Sequence, residues 1–173
     1  MSPIDQSYVN EKIPLAAEIL RAGGAVRMRV LGTSMLPTMW PGDVVRIEGL
    51  SAECAIPGEI VLYETKERFF LHRLIEKSEV RGLLHLVTRG DSMPQDDPKI
   101  AKSQLLGHVS SICRNGRTMT PALRLSPVMW AAGWTLCYSN TLRNLALRLH
   151  SRRQQGFSNS PEGLSLIANN NGA

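Results

Sequence analysis

Three short stretches of this 173-residue chain hold side chains that could do chemistry together: Ser34 in VLGTSMLPTMWPGDVV, His72 in RFFLHRLIE and Asp97 in TRGDSMPQDDP. Taken singly, each has a plain structural account as a loop hydroxyl, a polar residue on a strand face and an acidic turn. Taken together they supply a nucleophile, an imidazole and a carboxylate. A serine hydroxyl is a poor nucleophile until a base removes its proton, and an imidazole can do so near neutral pH if a carboxylate fixes its tautomer. On that logic an amide at position 97 mis-sets the tautomer and slows any reaction by orders of magnitude.

The elements around these residues are legible from their periodicity. In NEKIPLAAEILRA, Ile13, Ala17 and Leu20 recur at helical spacing behind an Asn10 cap, and Gly23 and Gly24 end the helix. From Ala25 to about Met119 the pattern changes to β-branched or alternating runs, AVRMRVL, DVVRIE, EIVLYET, RFFLHRLIE, LLHLVTR and LLGHVSSI, each bounded by turn residues. The fold class is therefore mainly β, an antiparallel, coiled or barrel-like core with a short N-terminal helix and a C-terminal helix. The boundaries are residues 1–24 for the N-terminal helical segment, 25–122 for the β-domain, 123–155 for a basic helix started by Ser126 and Pro127, and 156–173 for a polar, disordered tail.

Composition narrows the function classes. A chain that is 43% hydrophobic and 20% charged suits one buried core with a tail rather than two domains. Its three cysteines, Cys54, Cys113 and Cys137, stand far apart, so neither a disulfide framework nor a metal site is indicated, and no cofactor is expected. The first twelve residues carry acids and no apolar run, which points to a cytoplasmic start. The net charge of +5 is uneven: residues 1–97 hold 11 Lys/Arg against 14 Asp/Glu, and residues 98–173 hold 9 against 1. That basic half suits an anionic partner, but no aromatic-interleaved or helix-reading motif supports nucleic acid. The uncharged run from Leu125 to Leu142 is diluted by Ser139, Asn140 and Thr141, so it reads as a helix packed on the core in preference to a span. With Trp130, Trp134 and then Arg143, Arg148, Arg152 and Arg153, it also suits peripheral association with anionic membrane.

At its three stretches the chain resembles type I signal peptidases, in particular the Ser/His branch found in the catalytic subunit of the eukaryotic signal peptidase complex, in archaea and in some spore-forming bacteria. SMLPTMWPGD is similar to the family's Ser-Met-x-Pro box and places Ser34 on the nucleophile. LHRLI resembles the box in which most bacterial enzymes carry Lys-Arg and this branch His-Arg, which places His72 on the general base. GDSMPQDD aligns on the Gly-Asp-Asn-Asn-x-x-Asp-Asp box, with Asp97 on the third catalytic position and Asp91 on a structural acid. PGEIVLYE resembles the intervening strand, and the likeness covers roughly residues 28–113.

The resemblance implies a peptide or precursor-protein substrate lying extended against a strand edge, with small residues before the cut. It also implies an oxyanion donor in the Ser34 N–H, loop support from Met35 and Pro37, and a buried structural pair of Arg73 with Asp91. The remaining histidines, His85, His108 and His150, read as structural. Two departures stand out. Gly32 occupies the position where the family carries a serine whose hydroxyl completes the oxyanion hole, leaving Thr33 as the nearby substitute; one such donor is worth roughly 3 kcal/mol. The turn GDSM replaces Gly-Asp-Asn. Two rival readings remain. A self-cleaving domain of the LexA type shares the fold and the Ser-Met start, and RAGGAV offers an Ala22–Gly23 bond, although that subfamily uses a lysine base and a DNA-binding head. A non-catalytic module that docks on lipid or protein is the other.

Overall fold

Every run read above as a strand is one, and the ladder that joins them is wholly antiparallel. The computed structural model describes residues 14–65, 68–138 and 147–148. The strands are β1 (Ala25–Arg29), β2 (Val44–Gly49), β3 (Ile60–Thr65), β4 (Arg68–Val80), β5 (Leu83–Arg89), β6 (Ile100–Ala101), β7 (Leu105–Arg114) and β8 (Arg117–Met119). They form one sheet in the order β1-β2-β7-β3-β4-β5-β6, with β8 also paired to β7. Along that path β1 and β6 are the ends, so the ladder is open. Irregularities between Arg46 and Ile47, Leu62 and Tyr63, and Leu74 and Glu76 help it bend.

Helix α1, residues 14–21, lays Ala17 and Leu20 on the sheet. The third residue of the expected stripe, Ile13, and the Asn10 cap lie outside the described residues. The core has two parts, and β3 belongs to both. Ile60 and Leu62 join a cluster with Leu20, Met35, Met39, Ile47 and Ile112, while Val61 and Tyr63 join another with Leu74, Leu86, Ile100 and Leu105. A strand buried on both faces needs apolar residues at consecutive positions, which is why EIVLYET is continuous rather than alternating.

Helix α2 (Pro127–Tyr138) begins where Ser126 and Pro127 signalled, with the Met129 N–H donating to Ser126 Oγ at 3.2 Å. Gly133 is buried, and a Cβ there would lie 2.7 Å from the Asp91 carbonyl oxygen. The helix thus rests by its backbone on the stretch that carries Asp91, as a packed helix. Among the described residues no helix is long and apolar enough to cross a membrane. The side chains of Trp130 and Trp134, most of the basic run that follows, His150 and the 156–173 tail lie outside the described residues.

Candidate active site

Between β1 and β2 the chain makes a loop that holds Ser34. Its base is closed by the Val30 N–H on the Asp43 carbonyl and the Gly42 N–H on the Val30 carbonyl, both at 2.8 Å. Trp40-Pro41-Gly42-Asp43 turns with the Asp43 N–H on the Trp40 carbonyl, and Gly42 takes φ 97, which explains the Pro-Gly pair. Met35, Leu36 and Met39 sink into the core. Pro37, after a cis peptide bond, accepts the Trp40 Nε1–H at 2.9 Å. Buried Asp43 receives the Trp40 N–H and the Arg114 guanidinium, which also donates to the Thr38 carbonyl. Ser34 therefore stands on a short tether fixed at both ends.

His72 projects from β4 on the face of Phe70 and Leu74, toward the second core cluster. Tyr63 stacks on Phe70 with centroids 5.5 Å apart and meets the His72 ring edge-on at 6.2 Å. These rings leave the imidazole two polar neighbours. His72 Nε2 lies 3.0 Å from Ser34 Oγ, and Nδ1 lies 2.6 Å from Asp97 Oδ2. An ionised carboxylate can only accept, so Nδ1 carries the proton and Nε2 presents its lone pair to the serine hydroxyl. The set can move the Ser34 proton to His72 as Oγ attacks a carbonyl.

The Arg73–Asp91 pair is present as read. Arg73 Nε and Nη2 reach the two Asp91 oxygens at 2.8 and 2.9 Å, and Nη1 donates to the Gly58 and Ala122 carbonyls. Thr38 Oγ1 donates to Asp91 as well, so the pair ties the serine loop to β4 and to the chain before α2. Both side chains are almost fully buried. Asp91→Asn should destabilise the fold by about 3 kcal/mol by stranding a buried guanidinium, a drop that urea titration measures.

Thr33 contributes through its carbonyl, which accepts the Ser92 Oγ–H. Gly32 has open space where a Cβ would stand. His108 Nδ1 pairs with Glu59 Oε1 at 2.9 Å, away from the relay. The Ala22–Gly23 bond that the self-cleaving reading offers closes α1, with the Ala22 N–H on the Glu18 carbonyl and the Gly23 N–H on the Leu20 carbonyl.

Four supports escaped the sequence reading. Ser92, the departure in GDSM, donates its N–H to the Ser34 carbonyl at 2.9 Å and shares its hydroxyl between the Thr33 and Ser34 carbonyls. Arg114 sits 71 residues from its Asp43 partner. Tyr63 and Thr88 both donate to Asp97 Oδ2. Only the altered turn gave a signal, and it pointed to position 92 without saying what the side chain would touch.

Gly90 is where the third stretch presses on the nucleophile. A Cβ there would lie 2.7 Å from the Ser34 carbonyl oxygen and 3.0 Å from Ser34 Cβ. Gly90→Ala should lower kcat about a hundredfold, the cost of roughly 1 Å of misplacement, while far-UV circular dichroism shows a folded protein.

A search of curated proteins finds no match to this chain. The family model described as peptidase S24-like matches residues 2–108, a span that takes in Ser34, His72 and Asp97. The chain belongs to the peptidase S24-like family, a membership that supports a serine-type peptidase activity, on another chain or on its own.

Proposed function

We propose that this protein is a serine endopeptidase of the signal-peptidase type, Ser/His branch, which cuts a precursor or leader peptide after small residues. The observation that carries this reading is the continuous relay from Ser34 Oγ through His72 to Asp97. Ser34 attacks the scissile carbonyl while His72 Nε2 takes its proton, and the Ser34 N–H donates to the oxyanion. The tetrahedral intermediate collapses as Nε2 returns that proton to the leaving amine. Water, deprotonated by the same nitrogen, then releases the acyl group from Ser34. Asp97 keeps the imidazole oriented and balances its positive charge. The preference for small residues rests on the resemblance of the three stretches.

A histidine at the base position distinguishes this proposal from the lysine-dependent self-cleaving type. Cleavage at Ala22–Gly23 would require the closing turn of α1 to unwind, since both amides are bonded there. A peptide-library profile with the full chain tests the proposal: cuts in trans should follow small residues. Cleavage confined to the protein's own chain would replace the proposal with self-processing.

A further inference from the structure

The relay ends on one oxygen that does more than receive His72. Asp97 Oδ2 accepts from His72 Nδ1 at 2.6 Å, from Thr88 Oγ1 at 2.7 Å and from the Tyr63 hydroxyl at 3.2 Å. Asp97 lies beyond the end of β5 on an irregular stretch, and its side chain retains about a fifth of its exposure. No helix or strand carries its backbone there. The two hydroxyls come from regular strands. Thr88 is fully buried on β5, and its carbonyl also accepts the Asp97 N–H at 2.7 Å, so the two residues clasp each other through backbone and side chain. Tyr63 is buried on β3, its ring fixed by the stack on Phe70.

We propose that Tyr63 and Thr88 are positioning residues that hold Asp97 Oδ2 against His72, so that the imidazole proton stays on Nδ1 and Nε2 stays free to accept from Ser34. The inference deepens the peptidase reading and rests on it for its effect on rate, but the geometry it concerns exists in the resting protein. A donor to a carboxylate must keep its own proton. Burial pushes the Tyr63 hydroxyl up to about 12, so it remains a donor throughout the range in which such an enzyme works. Asp96, next in the chain, is turned away toward Arg89 at 3.3 Å and does not compete for the imidazole. The strands thus supply the rigidity that the Asp97 stretch lacks, and the phenol and the threonine hydroxyl are the link.

Removing both hydroxyls should let the carboxylate turn toward water. His72 then loses its fixed acceptor, and its proton distributes over both ring nitrogens, because the tautomer follows the hydrogen bond the ring can make. The experiment uses the full chain labelled with 15N-histidine and compares wild type with Tyr63→Phe, Thr88→Val, the double variant and Thr88→Ser. In wild type the His72 nitrogen shifts should report a proton on Nδ1, with a low-field Nδ1–H resonance. Each single variant should weaken that resonance, and the double variant should lose it and show mixed tautomers. With a cleavable peptide, each hydroxyl removed should lower kcat about tenfold with KM unchanged, and Thr88→Ser, which restores the donor, should recover wild-type kcat. A wild-type tautomer in folded Tyr63→Phe and Thr88→Val proteins would overturn the inference. So would a rate lost equally in Thr88→Ser. The nitrogen spectra need no substrate, so a wild-type protein that cleaves nothing would count against the peptidase reading and leave the spectra to decide this one.

Discussion

Asp97→Asn is expected to lower kcat by about a hundredfold, and Asp97→Ala by about ten-thousandfold, with both proteins folded. The gap between them follows from where the donors converge. His72, Thr88 and Tyr63 all point at Oδ2. An asparagine can place its carbonyl oxygen there, keep all three donors satisfied and direct its amide to the other position. The tautomer then survives, and what is lost is the negative charge facing the imidazolium that forms as Ser34 attacks. One charge-assisted hydrogen bond of about 2–3 kcal/mol corresponds to that hundredfold. Alanine removes the acceptor altogether, so His72 loses both its orientation and its tautomer. From the sequence alone the amide is expected to mis-set the tautomer; with all three donors on one oxygen, the expected outcome is instead a kept tautomer and a lost charge. Steady-state kinetics on a cleavable peptide check the ordering, and equal losses in the two variants would return the larger share to the tautomer.

A gain is expected at Gly32. Gly32→Ser should raise kcat by up to about a hundredfold, because a hydroxyl two residues before the nucleophile would add a second donor to the developing oxyanion. The backbone permits it. No atom outside the adjacent residues lies within 4 Å of the position a Cβ would occupy, and Gly32 is not in the left-handed region that only glycine tolerates. The effect should appear in kcat rather than KM, since the donor acts on charge absent from the bound substrate. A folded variant with unchanged kcat would show that the hole is already complete, with Thr33 as the residue to replace next.

The strands and the three catalytic candidates were legible because each rests on a local signal. Six apolar runs bounded by turn residues became six strands, and Ser34, His72 and Asp97 stood in stretches whose order a known family shares. What the sequence could not show is contact across the sheet. Tyr63 reads only as one more apolar position in EIVLYET; its hydroxyl acquires a role because β3 and β4 pair Tyr63 with Phe70 and the stretch after β5 brings Asp97 Oδ2 within 3.2 Å of it. Thr88 and Arg114 likewise depend on register. The short strand β8 was missed although Asn115-Gly116 announced its hairpin, because the three residues that follow are exposed and carry no pattern. The matching Arg81-Gly82 turn lacks the usual Asn or Asp, so β4 was read as ending at Glu76 when it runs on to Val80.

The central claim is that Ser34, activated by His72, cuts another polypeptide. Its most direct test is hydrolysis in trans of the best peptide from the library, with the full-chain wild type, Ser34→Ala and His72→Gln at equal concentration, products identified by mass. Turnover by wild type, with each variant slowed by about a millionfold, is the result expected. Cleavage of that peptide by folded Ser34→Ala at a rate near wild type would contradict it.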